Sequence, residues 1–430
     1  MISQTTLSLP GPHDTTRIEL PNGITILTRA NFNSASVVVN GYLPAGSAFD
    51  PPEKLGLAYF TALALMRGTQ QHNFQQLYDS LESVGANLGF SASVHNITFG
   101  GRCLAEDLPL LLTLLSETLR TPTFPCEQVE RLRAQMLTRL AIRAQDTADM
   151  ASITFDRLLF PNHPYGLPED GYPETIQRIE CQDLNNFHQH HVGPRGMVLV
   201  IVGGITAEQA IEGVTQALGD WQNPAQPTTP SLPTILPPQH TTRQHIPLPG
   251  KSQSDLVMGC LGPRRNAPNY LAASLGNNIL GQFGMMGRIG DVVREQAGLA
   301  YHAATSLNAW IESGSWEVEA GVNPFNLQRA IDLITFELGR FVQEPVTREE
   351  LADSQSNFIG RLPLSLESNG GVAGALLNVE RFQLGLDYFV NYAGRVRSIT
   401  PEDILEAAQS YINPQALIIV SAGPDQTEDA

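Results

Sequence analysis

Two stretches of this chain, 220 positions apart, match without a gap. IECQDLNNFHQHHVGPRGMVLVIVGG starts at Ile179 and ITPEDILEAAQSYINPQALIIVSAGP starts at Ile399. Ile179, Asp183, Pro194, Val200 and Gly203 coincide with Ile399, Asp403, Pro414, Val420 and Gly423, and His191 falls on Tyr411. Each stretch has the pattern of an amphipathic helix, a proline turn and a buried strand closed by glycine. Upstream, EDLPLLLTLLSETL and FNLQRAIDLITFEL read as long helices at about the same offset. Each is followed by a proline-containing turn and a second helix. An ordered match of this length marks a duplicated domain.

The halves open on strand patterns. Leu20-Pro21-Asn22-Gly23-Ile24 sets an Asn-Gly turn beside an apolar run, a strong hairpin signal. Ser36–Leu43 reads as a strand, and an apolar helix follows over about 55–66. Strands grouped with helical pairs predict an α+β fold: two homologous domains, each a mostly antiparallel sheet with helices on one face. The domains expected are 15–222 and 241–425. Between them, residues 223–240 are rich in Pro and Thr, as suits an extended linker.

Composition narrows the function. Asp and Glu total 43 against 26 Lys and Arg, a formal charge of -17. Phosphate binding relies on clustered cations, so nucleic acid and polybasic membrane attachment are both disfavoured. The four cysteines, Cys103, Cys126, Cys181 and Cys260, form no C-x-x-C pair, which predicts buried free thiols in a reducing compartment. Residues 1–20 lack a basic segment followed by an apolar one, and no apolar run approaches the roughly 18 residues of a membrane span. A cytoplasmic protein without membrane contact is expected.

LPNGITILTR followed by GSAFDPPEKLGLAYFTALALMRGT resembles the N-terminal signature of the M16 peptidases, the inverzincin superfamily of mitochondrial processing peptidase and insulin-degrading enzyme. Catalytic members carry H-x-x-E-H in this helix. Two histidines four apart share one helix face and bind one zinc, and the glutamate serves as general base. Laid onto this sequence, those positions are Tyr59, Ala62 and Leu63. The family's third ligand, a glutamate, lies in a helix resembling QVERLRAQMLTRLAIRAQD, which has no acid between Glu130 and Asp146 and places Arg139 near the expected site. A phenol, methyl groups and a cation do not make a zinc site, so no metal or other cofactor is expected in this chain. His188, His190 and His191 look like a metal cluster, but the alignment of His191 with Tyr411 marks that ring as a packing group at a helix-to-strand corner.

The second half carries GQFGMMGRIGDVVREQAGLAY, residues 281–301, similar to the family's C-terminal motif of a glycine-rich segment, a helix and R-x6-Y. A helix from about Met286 should stop at Ala297, with Gly298 as a left-handed cap and a strand over 299–305. That reversal brings Tyr301 back beside Arg294. A guanidinium and a phenol held together can donate to peptide carbonyls or to a developing oxyanion. Gly281, Gly284 and Gly287 lack the nucleotide-binding spacing and suit a substrate-contacting loop.

The resemblance spans nearly the whole chain. It implies the non-catalytic member of a 1:1 heterodimer, half of a clamshell that encloses an unfolded peptide. Arg294 and Tyr301 would act in trans on a zinc held by a homologous partner with H-x-x-E-H. The alternative is a structural, core-type or peptide-holding protein without peptidase function.

Overall fold

The computed structural model describes residues 9–284 and 287–425. Eleven strands are found among them: β1 (Thr16–Glu19), β2 (Thr25–Ala30), β3 (Ser36–Leu43), β4 (Asn87–Ala92), β5 (Ile97–Leu104), β6 (Val198–Gly203), β7 (Thr242–Pro247), β8 (Ser254–Gly262), β9 (Ala300–Ala309), β10 (Gly314–Val322) and β11 (Ile418–Gly423). The first half carries helices α1 (Leu57–Ala64), α2 (Phe74–Glu82), α3 (Leu108–Arg120), α4 (Cys126–Arg143), α5 (Thr147–Leu159), α6 (Pro173–Arg178), α7 (Cys181–His191) and α8 (Ala207–Leu218). The second carries α9 (Tyr270–Gly281), α10 (Gly287–Gly290), α11 (Leu327–Phe341), α12 (Arg348–Ser365), α13 (Asn369–Arg381), α14 (Tyr388–Ser398) and α15 (Pro401–Tyr411).

The duplication is visible in the strand order. One sheet runs β1-β2-β6-β3-β5-β4 and the other β7-β11-β8-β10-β9. Without β1, the two orders are the same when β2 through β6 are matched in sequence with β7 through β11. Each sheet is antiparallel apart from one parallel pair, β2 with β6 and β7 with β11. The ungapped repeat falls on α7 with β6 and on α15 with β11. Both helices start with a capping box, at Glu180 and Thr400. The Asn22–Gly23 turn joins β1 to β2, with Gly23 at φ 89 and the Leu20 N–H donating to the Ile24 carbonyl at 2.8 Å. Residues 221–238 contain neither helix nor strand.

By packing, the chain forms two compact units, and both are discontinuous. The first comprises Met1–Leu140, Pro168–Leu232 and Leu362–Asn391; the second comprises Ala141–Leu167, Pro233–Arg361 and Tyr392–Ala430. In the first unit, Val37, Val39, Leu199 and Ile201 point into the main core with α1, α3 and α7. The opposite face, with Val38, Val198, Val200 and Val202, is covered by Val372, Ala373 and Leu376 of α13. In the second unit, Leu256, Met258, Trp316 and Val318 face the helices of the main core. There α5 packs against β8 and β11. Each sheet therefore has most of its helices on one face, as expected, and also one helix on the other. Alternation explains this: strands apolar on both sides, such as VLVIVG in β6, demand cover on both. No helix among the described residues is long and apolar enough to cross a membrane.

Candidate functional site

Helix α1 begins after Gly56, whose φ of 95 puts it in the left-handed region. Asp50 caps the helix, its carboxylate accepting the Gly56 and Ala58 N–H groups at 2.8 and 2.9 Å. Burial pushes the Asp50 carboxyl up to about 7, against the opposite pull of the Ala58, Gly56 and Leu57 N–H groups. On this helix Tyr59 and Leu63 are half-buried, and Ala62 is wholly buried in the core. Arg139 of α4 donates to the Tyr59 hydroxyl at 2.9 Å. A zinc ion at these positions would meet a phenol already hydrogen-bonded, two hydrocarbon side chains and a permanent cation. The donor set does not fit the metal. Among the described residues no group of three His, Cys, Asp or Glu side chains is arranged to hold one.

The histidines of α7 are engaged in packing. His188 Nε2 lies 2.8 Å from the Leu119 carbonyl, and His190 Nδ1 lies 2.7 Å from the Asn186 carbonyl. His191 sits between the rings of Phe49 and Phe187, at 4.6 and 4.7 Å. Burial lowers the pKa of His188 and His191, so both favour the neutral ring.

In the second unit, α10 passes into a π-helical turn, Asp291–Gln296, which carries Arg294. The expected start of this helix at Met286 lies outside the described residues. Ile289 and Val293 are buried and hold one side of the segment in the core. The Gly298 N–H donates to the Arg294 carbonyl and that of Leu299 to the Val293 carbonyl, with Gly298 at φ 63. The chain reverses there into β9, as the glycine placement predicts. In the β9–β10 pair, Ala300 sits opposite Val322 and His302 opposite Gly321, which leaves Tyr301 as the extra residue of a β-bulge. A bulge re-aims the side chain it carries. Tyr301 is 87% exposed, and the Arg294 guanidinium carbon lies 5.7 Å from its ring centroid. Arg294 Nε also lies 3.5 Å from a Glu295 carboxylate oxygen. The arrangement offers a phenolic hydroxyl and a guanidinium side by side, the phenol open to solvent. Such a pair can donate hydrogen bonds to peptide oxygens.

The glycines before it differ in role. A Cβ on Gly281 would stand 2.5 Å from the Thr305 side chain, and one on Gly287 would stand 2.5 Å from the Ile279 carbonyl. Close packing accounts for both. Gly284, at φ 61 with nothing within 4 Å of a built Cβ, forms an open turn.

The family follows from two matches. Residues 25–159 match the model of the insulinases, peptidase family M16, and residues 178–358 match that of the peptidase M16 inactive domain. The chain belongs to the M16 peptidase family. An uncharacterized zinc protease of Streptomyces coelicolor is 23% identical over 425 residues, covering 96% of this chain and 90% of the relative. An Arabidopsis thaliana protein named "Probable mitochondrial-processing peptidase subunit beta, mitochondrial" is 25% identical over 208 residues, 48% of this chain and 39% of its own. Among solved structures, a peptidase M16 inactive domain from Pseudomonas fluorescens has a TM-score of 0.88 at 25% identity, covering 97% of this chain and 99% of that one. A Helicobacter pylori protease shares the fold with a TM-score of 0.88 at 18% identity.

One feature of this M16 chain had no signal in its sequence. Arg288, the second residue of α10, donates Nε and Nη2 to the Glu350 carboxylate of α12 at 2.7 and 2.8 Å. Its Nη1 lies 3.8 Å from Glu337 of α11, a carboxylate only 1% exposed. This network ties the segment bearing Arg294 to two helices that lie far along the chain.

Proposed function

We propose that this chain is the non-zinc-binding subunit of a heterodimeric M16 peptidase, inactive alone. It would contribute peptide binding and oxyanion stabilisation to a homologous partner with H-x-x-E-H. The observation that carries the reading is the bulge-borne, exposed Tyr301 beside Arg294, in a chain whose Tyr59, Ala62 and Leu63 cannot ligate zinc. A scaffold has no use for a phenol turned to solvent beside a guanidinium. Zinc bound in the partner would supply Lewis acidity. In this chain Tyr301 would donate its hydroxyl to the developing oxyanion, and Arg294 would hold a neighbouring peptide carbonyl. Gly284 would give the loop before them room to accept a peptide. The repeats at 15–222 and 241–425, joined by 223–240, would form one half of the enclosing clamshell.

The test is reconstitution with a homologue that carries H-x-x-E-H, sought first in the adjacent reading frame. A 1:1 complex and peptide cleavage absent from either chain alone are expected. Tyr301→Phe should lower kcat by about 10²–10³ with little change in KM, since the contact forms mainly in the transition state. Near-normal kcat/KM in both Tyr301→Phe and Arg294→Ala, within an intact heterodimer, would hand the case to a structural or peptide-holding role.

A further inference from the structure

The sheet of the first unit keeps a bare, polar strip on the face that α13 covers only in part. Alternation along β3, β4 and β5 turns Asn40, Asn87 and Arg102 to this face, away from the main core that takes Val39, Leu88 and Cys103. Register brings them together: Asn87 stands opposite Arg102, and Gly100 lies between Asn40 and Gly89. A Cβ on Gly89 would meet nothing within 4 Å, and one on Gly100 only the Asn40 Oδ1 at 3.1 Å. Gly100 thus floors an open trough of about 500 Å³, a volume usual for small-ligand sites. One wall is the first turn of α13, at Ser368, Asn369 and Gly370. That wall is fixed, because Asn369 Nδ2 donates to the Ser36 carbonyl at 3.0 Å and Asn369 Oδ1 accepts from Asn31 at 2.7 Å. A ligand lying across the strands is stopped there, so the trough suits the end of a chain rather than its middle.

Arg102 and Asn87 are exposed and Asn40 is half-buried. Among the described residues, none of the three side chains has a hydrogen-bond or ion-pair partner. No carboxylate lines the trough, although the chain has 43 acids, so Arg102 meets no internal counter-ion. The duplication shows that the fold does not demand these residues. Val200 matches Val420, and the registers then place Asn40 with Val257, Gly100 with Glu319, Asn87 with His302 and Arg102 with Gly321. Where the second sheet carries Glu319, the first has a bare glycine, and where the second has Gly321, the first has an arginine. Side chains without a partner and without a structural duty are free to serve a ligand. Their donors choose it. A guanidinium presents a flat fork of N–H groups that matches a carboxylate or a phosphate, and the carboxamides beside it add neutral donors.

We propose that this trough binds the oxyanion end of an extended ligand, the terminal carboxylate of a peptide, paired with Arg102 and hydrogen-bonded by Asn40 and Asn87. The choice of a peptide as bearer rests on the function proposed above. The site itself uses neither Arg294 nor Tyr301, and needs no zinc-bearing partner, so it can fail while reconstitution succeeds, and the reverse.

The test is fluorescence anisotropy on the full chain alone, with fluorescein-labelled hexaalanine ending in a free carboxylate and the same peptide amidated. The free acid should bind saturably, and the amide at least about tenfold more weakly, the usual scale of a charge-assisted bond. Arg102→Ala should weaken the acid by about the same factor, and Arg102→Lys, which keeps the charge without the fork, should fall between. Gly100→Glu, which copies the second sheet into the floor, should abolish binding. Melting temperatures check that the variants are folded; should one fold poorly, the acid-to-amide ratio on the unaltered chain decides alone. Equal affinity for acid and amide, no saturable binding up to millimolar peptide, or a folded Arg102→Ala chain that binds normally would overturn the proposal. So would inorganic phosphate that binds in an Arg102-dependent way while the free acid does not.

Discussion

Removing Arg288 should loosen the segment that presents Arg294, and the structure sets the scale. Arg288 makes a two-point bond to Glu350 and lies 5.7 Å from the Phe341 ring centroid, with 16% of its side chain exposed. Breaking a buried pair typically costs about 3–5 kcal/mol, because the remaining charge stays buried. A second route gives a similar figure. Burial alone would push the Glu350 carboxyl up, but the Arg288 hydrogen bonds and charge, with the Thr347 N–H and hydroxyl, hold it down at about 2 against an ordinary 4.5. That shift is worth roughly 3 kcal/mol unscreened, and about 2 once partial exposure is allowed for. The two figures describe one interaction and do not add. Arg288→Ala should therefore cost about 2–3 kcal/mol, read as a fall in the urea midpoint of roughly 1 M. Trp316, buried and 6.3 Å from Phe341, provides a fluorescence signal in the same unit. The sign with pH follows from the depressed carboxyl. The stabilisation is present above 4.5 and is lost as pH falls towards 2, so wild type and variant should converge in acid. Glu337→Gln is the contrast: one carboxylate oxygen is buried with no hydrogen-bond partner, so its loss should cost less. An Arg288→Ala midpoint equal to wild type at neutral pH, or a Glu337→Gln change costing more than Arg288→Ala, would refute this reasoning.

The protonated form of Asp50 is favoured by the fold, so its contribution to stability is full below its ordinary 3.8 and is lost as pH rises to about 7. Asp50→Asn keeps an acceptor for the α1 cap without ionising, so urea midpoints measured across that window should decline less in the variant; parallel curves would count against it. Gly287→Ala meets backbone atoms at 2.5 and 2.6 Å with φ at 63, and should cost upwards of about 3 kcal/mol by urea unfolding. Gly284→Ala, at a similar φ with open space around it, should cost about 1 kcal/mol. Metal analysis of the purified chain should find no stoichiometric zinc, and one tightly held ion per chain would contradict the reading of Tyr59, Ala62 and Leu63.

Local patterns were legible where the deciding contacts are local. The α7–β6 and α15–β11 pairs could be read because helical periodicity, a proline turn and an apolar run each act within a few residues. Strand β3 was legible for the same reason. The Arg294–Tyr301 approach could also be read, since Gly298 sets the reversal between them. What escaped depends on distance along the chain. An apolar stripe on α5 or α13 says that one face is buried, not which sheet will bury it. Nothing in the spacing of Arg288, Glu337 and Glu350 announces a charge network. Of the cysteines, expected to be buried, Cys126 lies exposed at the start of α4, because one cysteine in an amphipathic stretch does not tell which face it takes. The Tyr301 bulge was equally hidden, because alternation around it does not tell an extra residue from a paired one.

The exchange of α5 and α13 has a consequence for biosynthesis. A nascent chain emerges from its N-terminus, yet the first unit takes in residues Leu362–Asn391 and cannot be finished until most of the protein is outside the ribosome. The second unit, conversely, includes Ala141–Leu167, which must wait unpartnered while the strands they cover are still being translated. Growth of such a polypeptide is interlocked rather than vectorial, domain after domain. Cutting the gene at the proline-rich connector would give two fragments, each lacking a helix for its own sheet and carrying one made for the other's. Such halves are fitted to complement each other when produced in one cell, and poorly fitted to survive apart.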